Sequence, residues 1–267
     1  MYRIEFIGVP GSGKTTISKK LIARLKKVDK KQFLSVEEAF LEVSRKKIEK
    51  VYRVILNILP RRLALNISNK LLNRNLLQFD TQNKFLAEWG KSFEVFLKSS
   101  AFDKMPINDR EIVISSFMEI GSLYECISNG CLPGETVVFL EEGFIQKSFM
   151  FISPLNNEEA EKTSLFRYLN NIPLPDLILY VNSNLTSCYK RMLARPTGFT
   201  NRLRKLEKNE IMDFLKVSDN HFQYVVRCLK KNRAINVFEI NNDQELYSVI
   251  CDLEQRIKSL FDIDITL

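Results

Sequence analysis

The 267-residue sequence predicts an α/β fold: three layers, a parallel sheet of about five strands covered by helices on both faces, and a helical insertion. Three observations predict it. Short apolar runs alternate along the chain with longer segments of helical periodicity. The run Asp176-Leu177-Ile178-Leu179-Tyr180-Val181 is continuously apolar after its first residue, as strands buried on both faces are. The first run leads straight into a glycine-rich turn and then a helix, the order of a phosphate-binding βα unit.

The elements follow in order. Tyr2, Ile4, Phe6 and Ile7 make a first strand. Gly8-Val9-Pro10-Gly11-Ser12-Gly13-Lys14-Thr15 then matches Gly-x-x-x-x-Gly-Lys-Thr at every fixed position. Glycine lets this backbone approach a ligand with positive φ, so that successive N–H groups form an anion nest at the positive end of the next helix. Gly8, Pro10, Gly11, Ser12, Gly13, Lys14, Thr15 and Thr16 are therefore the candidate nucleotide-binding residues. Lys14 brings charge to the β- and γ-phosphates, and the Thr15 hydroxyl suits a Mg²⁺ ligand. Ile17, Leu21, Ile22, Leu25 and Val28 form the apolar stripe of the first helix.

Residues 32–36 read as a second strand ending at Glu37 and Glu38. From about 39 to 130 the pattern is helical, in segments near 38–58, 61–79, 81–100 and 108–129, with breaks at Pro60 and Pro106 and a capped start at Asp80-Thr81. This stretch reads as the helical insertion. Its basic, leucine-rich portion, Ile48 to Leu77, reads as packed helices with solvated basic faces; a membrane-surface or partner helix is the other reading. Phe85, Trp89, Phe93 and Phe96 read as core. A third strand spans 135–140 after the Pro133-Gly134 turn. A broken helical stretch covers 145–170, the fourth strand spans 176–181, and a helix from Leu185 enters an arginine-rich segment. A helix over 208–231, a last strand over 234–240, a turn at Asn241-Asn242-Asp243 and a closing helix over 244–260 complete the chain.

Composition sets outer limits. Hydrophobic residues make up 45% and charged residues 27%, as in ordinary globular proteins. The net charge of +8 favours an anionic partner without choosing one. Five cysteines with no Cys-x-x-Cys pair read as reduced thiols in a cytoplasmic protein. The lone His221 reads as structural or surface rather than a catalytic base or ligand, the amino terminus leaves no room for a signal peptide, and no apolar run is long enough to span a membrane.

Bound phosphate calls for Mg²⁺, and the metal calls for an acid at the end of another strand. Glu141 stands there, with Glu142 beside it to hold water or contact substrate. Glu37 or Glu38 is placed to take a proton from an attacking hydroxyl; helix capping is the other reading of that pair. Arg191 and Arg195 lie four apart on one helical face, and Arg202 and Arg204 follow beyond Pro196 and Gly198. Guanidinium groups suit phosphate oxygens, so 191–206 reads as a lid. An Asn-Lys-x-Asp guanine-reading motif and the Leu-Ser-Gly-Gly-Gln signature of transport ATPases are both missing from the sequence.

In this order of motifs the chain resembles the thymidylate kinase and deoxynucleoside kinase group of P-loop kinases. The resemblance implies the P-loop NTPase fold, ATP and Mg²⁺ at the loop, the acid after the second strand as base, and lid arginines clamping phosphates. The sequence departs from the group in two places. Glu142-Gly143-Phe144 stands where the group usually follows its third-strand acid with arginine, and 39–130 is longer than a nucleoside kinase needs. The resulting expectation is one kinase domain over 1–267 that moves the γ-phosphoryl of ATP to a hydroxyl or phosphate on a small molecule, a nucleoside or nucleotide first. A sugar, a lipid-like alcohol and a modified nucleoside stay open as acceptors, as does a homodimer. Two other readings remain: a polynucleotide 5′-hydroxyl kinase, and a nucleotide-binding regulatory protein without turnover.

Overall fold

The strand that carries the glycine-rich turn lies in the middle of the sheet. In the computed structural model the strand order is β2-β3-β1-β4-β5, and every pairing is parallel. The structure describes residues 1–27, 33–47, 78–130, 132–152, 158–195, 199, 203–204, 206–233 and 235–261. Chain order among them begins β1 (Tyr2–Ile7), α1 (Lys14–Leu25), β2 (Phe33–Ser35), α2 (Val36–Lys47), α3 (Gln78–Leu97), α4 (Ser100–Asp103), α5 (Ile107–Ser128) and β3 (Val137–Leu140). It continues with α6 (Phe144–Lys147), a 3₁₀ turn (Ser148–Phe151), α7 (Glu158–Asn171), β4 (Leu177–Asn182), α8 (Leu185–Leu193), α9 (Lys208–Arg233), β5 (Asn236–Asn241) and α10 (Leu246–Leu260). The basic stretch 48–77 lies outside the described residues, as do 153–157 and Arg202.

Alternation along β1 divides the core. Ile4 and Phe6, with Phe139 and Leu179, face Ile17 and Leu21 of α1 and Val249 and Leu253 of α10. Ile7, Ile178 and Tyr180 face the opposite layer, where Phe85 and Phe96 of α3, Phe117 of α5, Tyr168 of α7 and Phe222 of α9 close over them. Both faces of the sheet are therefore covered, as predicted, and burial of rings such as Phe85 stacked on Phe144 (centroids 5.3 Å apart) ties α3 into the same core as the sheet. Among the described residues no helix is long and apolar enough to cross a membrane.

Three local differences from the sequence reading have physical causes. β2 is shorter than 32–36 because α2 starts at Val36. The Ser35 hydroxyl accepts from the Glu38 N–H at 3.3 Å, and the Glu38 carboxylate accepts from the Ser35 N–H at 2.8 Å, a reciprocal cap. α3 is already helical at Gln78, so Thr81 is a buried residue within the helix and not its start. The break before α5 holds a further short helix, α4, whose first turn is capped by the Ser99 hydroxyl.

The strand ends form a staircase. β2 stops at Ser35, level with Ile4 of β1, through its pairing with Phe139, and β3 stops at Leu140, level with Glu5. β1 itself runs to Ile7, level with Tyr180, while β4 and β5 continue to Asn182 and Asn241. At about 3.3 Å per residue, β2 ends some ~10 Å below the end of β1.

Candidate active site

The phosphate loop rises from β1 between the high and low sides of the staircase. Gly8, Gly11 and Gly13 all have positive φ (143°, 83° and 100°), the left-handed range that glycine enters at little cost. Close packing forbids a side chain as well: a Cβ on Gly8 would run into the Val181 carbonyl, and one on Gly11 into the Cys188 carbonyl. Pro10 lies within the tight turn closed by the Ser12 N–H donating to Val9 O at 3.2 Å. Gly13 caps α1 without a side chain, and the first turn contains no acidic residue. The N–H groups of Lys14, Thr15 and Thr16 are thus left for an outside acceptor, at the positive end of the helix. The Ser12 hydroxyl is buried with no hydrogen-bond partner among the described residues. These features fit an anionic phosphate.

Lys14 folds back over its own loop, its ammonium donating to Gly8 O at 2.6 Å and Val9 O at 3.1 Å. Burial pulls its pKa down to about 8; the nearby Glu142 opposes that shift and Arg195 adds to it. Glu141, just past β3, faces α1. Burial raises its carboxyl pKa and Glu37 pushes the same way, while the hydroxyls of Thr15 and Ser18 and the Lys19 ammonium hold it back. Thr15 and Glu141 are therefore brought together, and Glu37 lies within electrostatic reach. Among the described residues no cluster of three or more His, Cys, Asp or Glu could hold a metal unaided. One carboxylate and one hydroxyl beside a phosphate site still fit Mg²⁺, which takes few protein ligands and completes its shell with phosphate and water.

The two acids after β2 have separate fates. Glu38 is consumed by the cap on α2 and by an ion pair with Lys26. Glu37 is exposed on the first turn. Glu142 is exposed and paired with Lys147 at 2.8 Å. A cavity of about 50 Å³ is lined by Glu142 together with Arg3, Glu5, Val36, Tyr124 and Phe144, among others.

The arginines also divide. Arg191 donates to the Ser183 hydroxyl at 2.8 Å, to Asn242 O at 3.0 Å and to Ser12 O at 3.4 Å, and lies 3.8 Å from Asp243. It is pinned under the loop by these three bonds, its side chain half-buried. Arg195 is exposed and close enough to Lys14 to affect its charge. Arg204 donates to Phe199 O at 3.1 Å.

Sequence reasoning missed two supports of the loop. The Asn242 side-chain amide donates to Ser12 O at 2.6 Å, and Asp243 accepts from the Ser183 hydroxyl at 2.5 Å and the Asn184 N–H at 2.6 Å. The turn after β5 thereby fastens the loop, though its residues read only as turn formers. On the other side the Gly8 N–H donates to the Gln146 side-chain oxygen at 3.0 Å. Nothing local in the sequence marks Gln146. His221 is half-buried and donates through Nε2 to the Ser148 hydroxyl at 3.0 Å, Ser148 itself donating to Ile145 O.

No protein-family model and no curated protein matches the sequence. Among solved structures, the chain is similar to a deoxyadenosine kinase from M. mycoides with products dCMP and dCDP bound, at 11% identity and a TM-score of 0.44, over 97% of this chain and 99% of that one. It is similar to thymidylate kinase from Candida albicans at 14% identity and a TM-score of 0.47, over 97% and 92%. A shikimate kinase from Acinetobacter baumannii, in complex with shikimate, aligns at 16% identity and a TM-score of 0.41, again over 97% and 92%.

Proposed function

We propose that the protein is an ATP- and Mg²⁺-dependent kinase that phosphorylates a hydroxyl or phosphate group of a small molecule, a nucleoside or nucleotide being the first class to test. One observation carries this reading: a glycine-rich loop with an uncapped helix start, Lys14 within it, and Thr15 set against Glu141. Lys14 and the amides of residues 11–16 hold the triphosphate, with the Lys14 ammonium turning from the Gly8 and Val9 carbonyls onto phosphate oxygens. Thr15 and Glu141 would hold Mg²⁺, which supplies charge neutralisation on the β- and γ-phosphates.

Glu37 takes the proton from the attacking hydroxyl as the new P–O bond forms and the bond to the departing ADP breaks. Glu142 orients the acceptor, and Arg195 and Arg202 close over the phosphates from the 191–206 segment. The shared aromatic core of α3, α5 and the sheet supports one domain with a helical insertion. Cys188, Cys228 and Cys251, unjoined by disulfides among the described residues, support a reducing, cytoplasmic setting.

Product formation from Mg·ATP with a panel of nucleosides, nucleotides, sugars and oligonucleotides tests the reading. Phosphorylation of one acceptor class is the expected result, with Lys14→Ala lowering kcat/KM by about 100-fold or more. A Lys14→Ala variant that binds and turns over ATP like the parent overturns it.

A further inference from the structure

Glu5 is a carboxyl group in the middle of the central strand, 1% exposed, on the face it shares with Arg3 and Ile7. Such a group needs compensation. It accepts from the Gln146 N–H at 2.7 Å and lies against the N–H groups of Ile145 and Gly143, so it caps α6 from a strand far away in sequence. The fit leaves no slack, because a Cβ on Gly143 would strike the Glu5 carboxyl group. Burial still raises the Glu5 pKa to about 8 despite these donors.

Gln146 then returns the connection to β1. Its backbone N–H is held by Glu5, and its side-chain oxygen takes the Gly8 N–H, which opens the phosphate loop. Both bonds are buried. The same short segment is fixed on its other sides by the Tyr168 hydroxyl donating to Phe144 O at 2.8 Å and by Ser148 donating to Ile145 O at 2.6 Å. This segment begins two residues after Glu141. Hydrogen bonds therefore link the loop that bears Lys14 and Thr15, through Gln146 and Glu5, to Gly143, which stands two residues along the chain from Glu141.

We propose that Gln146, seated by Glu5, is a positioning residue that sets the start of the phosphate loop against Glu141, so that nucleotide affinity depends on a side chain that never touches nucleotide. The proposal rests on the kinase reading above for its ligand. Gln146→Leu keeps the approximate volume and removes the acceptor, which leaves the Gly8 N–H buried and unpaired. Gln146→Glu keeps an oxygen within reach and serves as the conservative variant.

Two measurements test it: calorimetric titration of Mg·ATP, which reads affinity in the folded fraction alone, and amide hydrogen exchange of the peptide spanning Gly8. The expected result for Gln146→Leu is a Kd for Mg·ATP about tenfold weaker and faster exchange at Gly8, with exchange in β4 unchanged. Gln146→Glu is expected to restore both to within about threefold of the parent. A lowered melting temperature with Kd and Gly8 exchange both unchanged in Gln146→Leu overturns the proposal and leaves the kinase reading standing. Absence of Mg·ATP binding in the parent overturns both.

Discussion

The two sides of the staircase are built on different plans. On the high side, β1, β4 and β5 meet in a dense polar mesh: Asn242 and Arg191 hold the Ser12 carbonyl, and Asp243 holds the turn after β4. On the low side, β2 and β3 end in acids that face water, with Glu37 exposed, Glu142 paired with Lys147, and a small cavity beside Glu142. The difference teaches that, in the proposed kinase, the nucleotide half of the site is pre-organised by the fold, whereas the acceptor half is left to be completed by its ligand. An exposed carboxylate is free to take up a proton; an arginine bonded to three protein acceptors is committed to holding shape.

That contrast can be broken by substitutions on each side. Glu37→Gln, on the low side, is expected to reduce kcat about 100-fold with little change in the Kd for Mg·ATP. Its neighbour provides the control. Glu38→Gln weakens the α2 cap and is expected to cost about 1 kcal/mol of stability, read by denaturant titration, while kcat stays within twofold. Equal losses of turnover in both would erase the distinction drawn between them. Arg191→Met, on the high side, is expected to weaken Mg·ATP binding about tenfold by calorimetry while leaving acceptor KM unchanged, since it removes hydrogen bonds to a charged group beneath the loop. An effect on acceptor KM alone would move Arg191 to the other half of the site.

The smallest effect concerns pH. His221 is held neutral, its pKa pushed down by burial to about 4 from an ordinary 6.5. Between those values the unfolded chain binds a proton that the folded chain does not, so stability rises with pH across that window and is lost as pH falls from about 6.5 toward 4. Melting temperatures measured from pH 7 to 4 should show this slope in the parent and a shallower one in His221→Gln.

The legible parts of this protein are those whose signal is local. Gly8 to Thr15 could be read because loop geometry imposes its residue types on consecutive positions, and β4 because burial on both faces leaves an unbroken apolar run. The fate of Glu38 was also written locally, as Ser35 three residues before a glutamate, which is the pattern of a reciprocal cap. That pattern only divides the two acids once the helix start is seen. Arg191 shows the limit. Guanidinium spacing on a helix face says that the charge points one way, but whether it meets solvent, phosphate or a carbonyl depends on Asn242 and Ser183, which approach through tertiary structure. Gln146 and Glu5 were silent for the same reason, their partners lying more than a hundred residues away.

The uneven heights of the strand ends act as a ruler. A molecule resting on the ledge formed by β2 and β3 has about 10 Å of vertical distance to cover from the end of β2, and about 7 Å from the end of β3, before it reaches the level where β1 gives way to the loop. Reach, and not headgroup chemistry alone, would then sort acceptors: one too short sits out of range below, and one too long is held off the ledge.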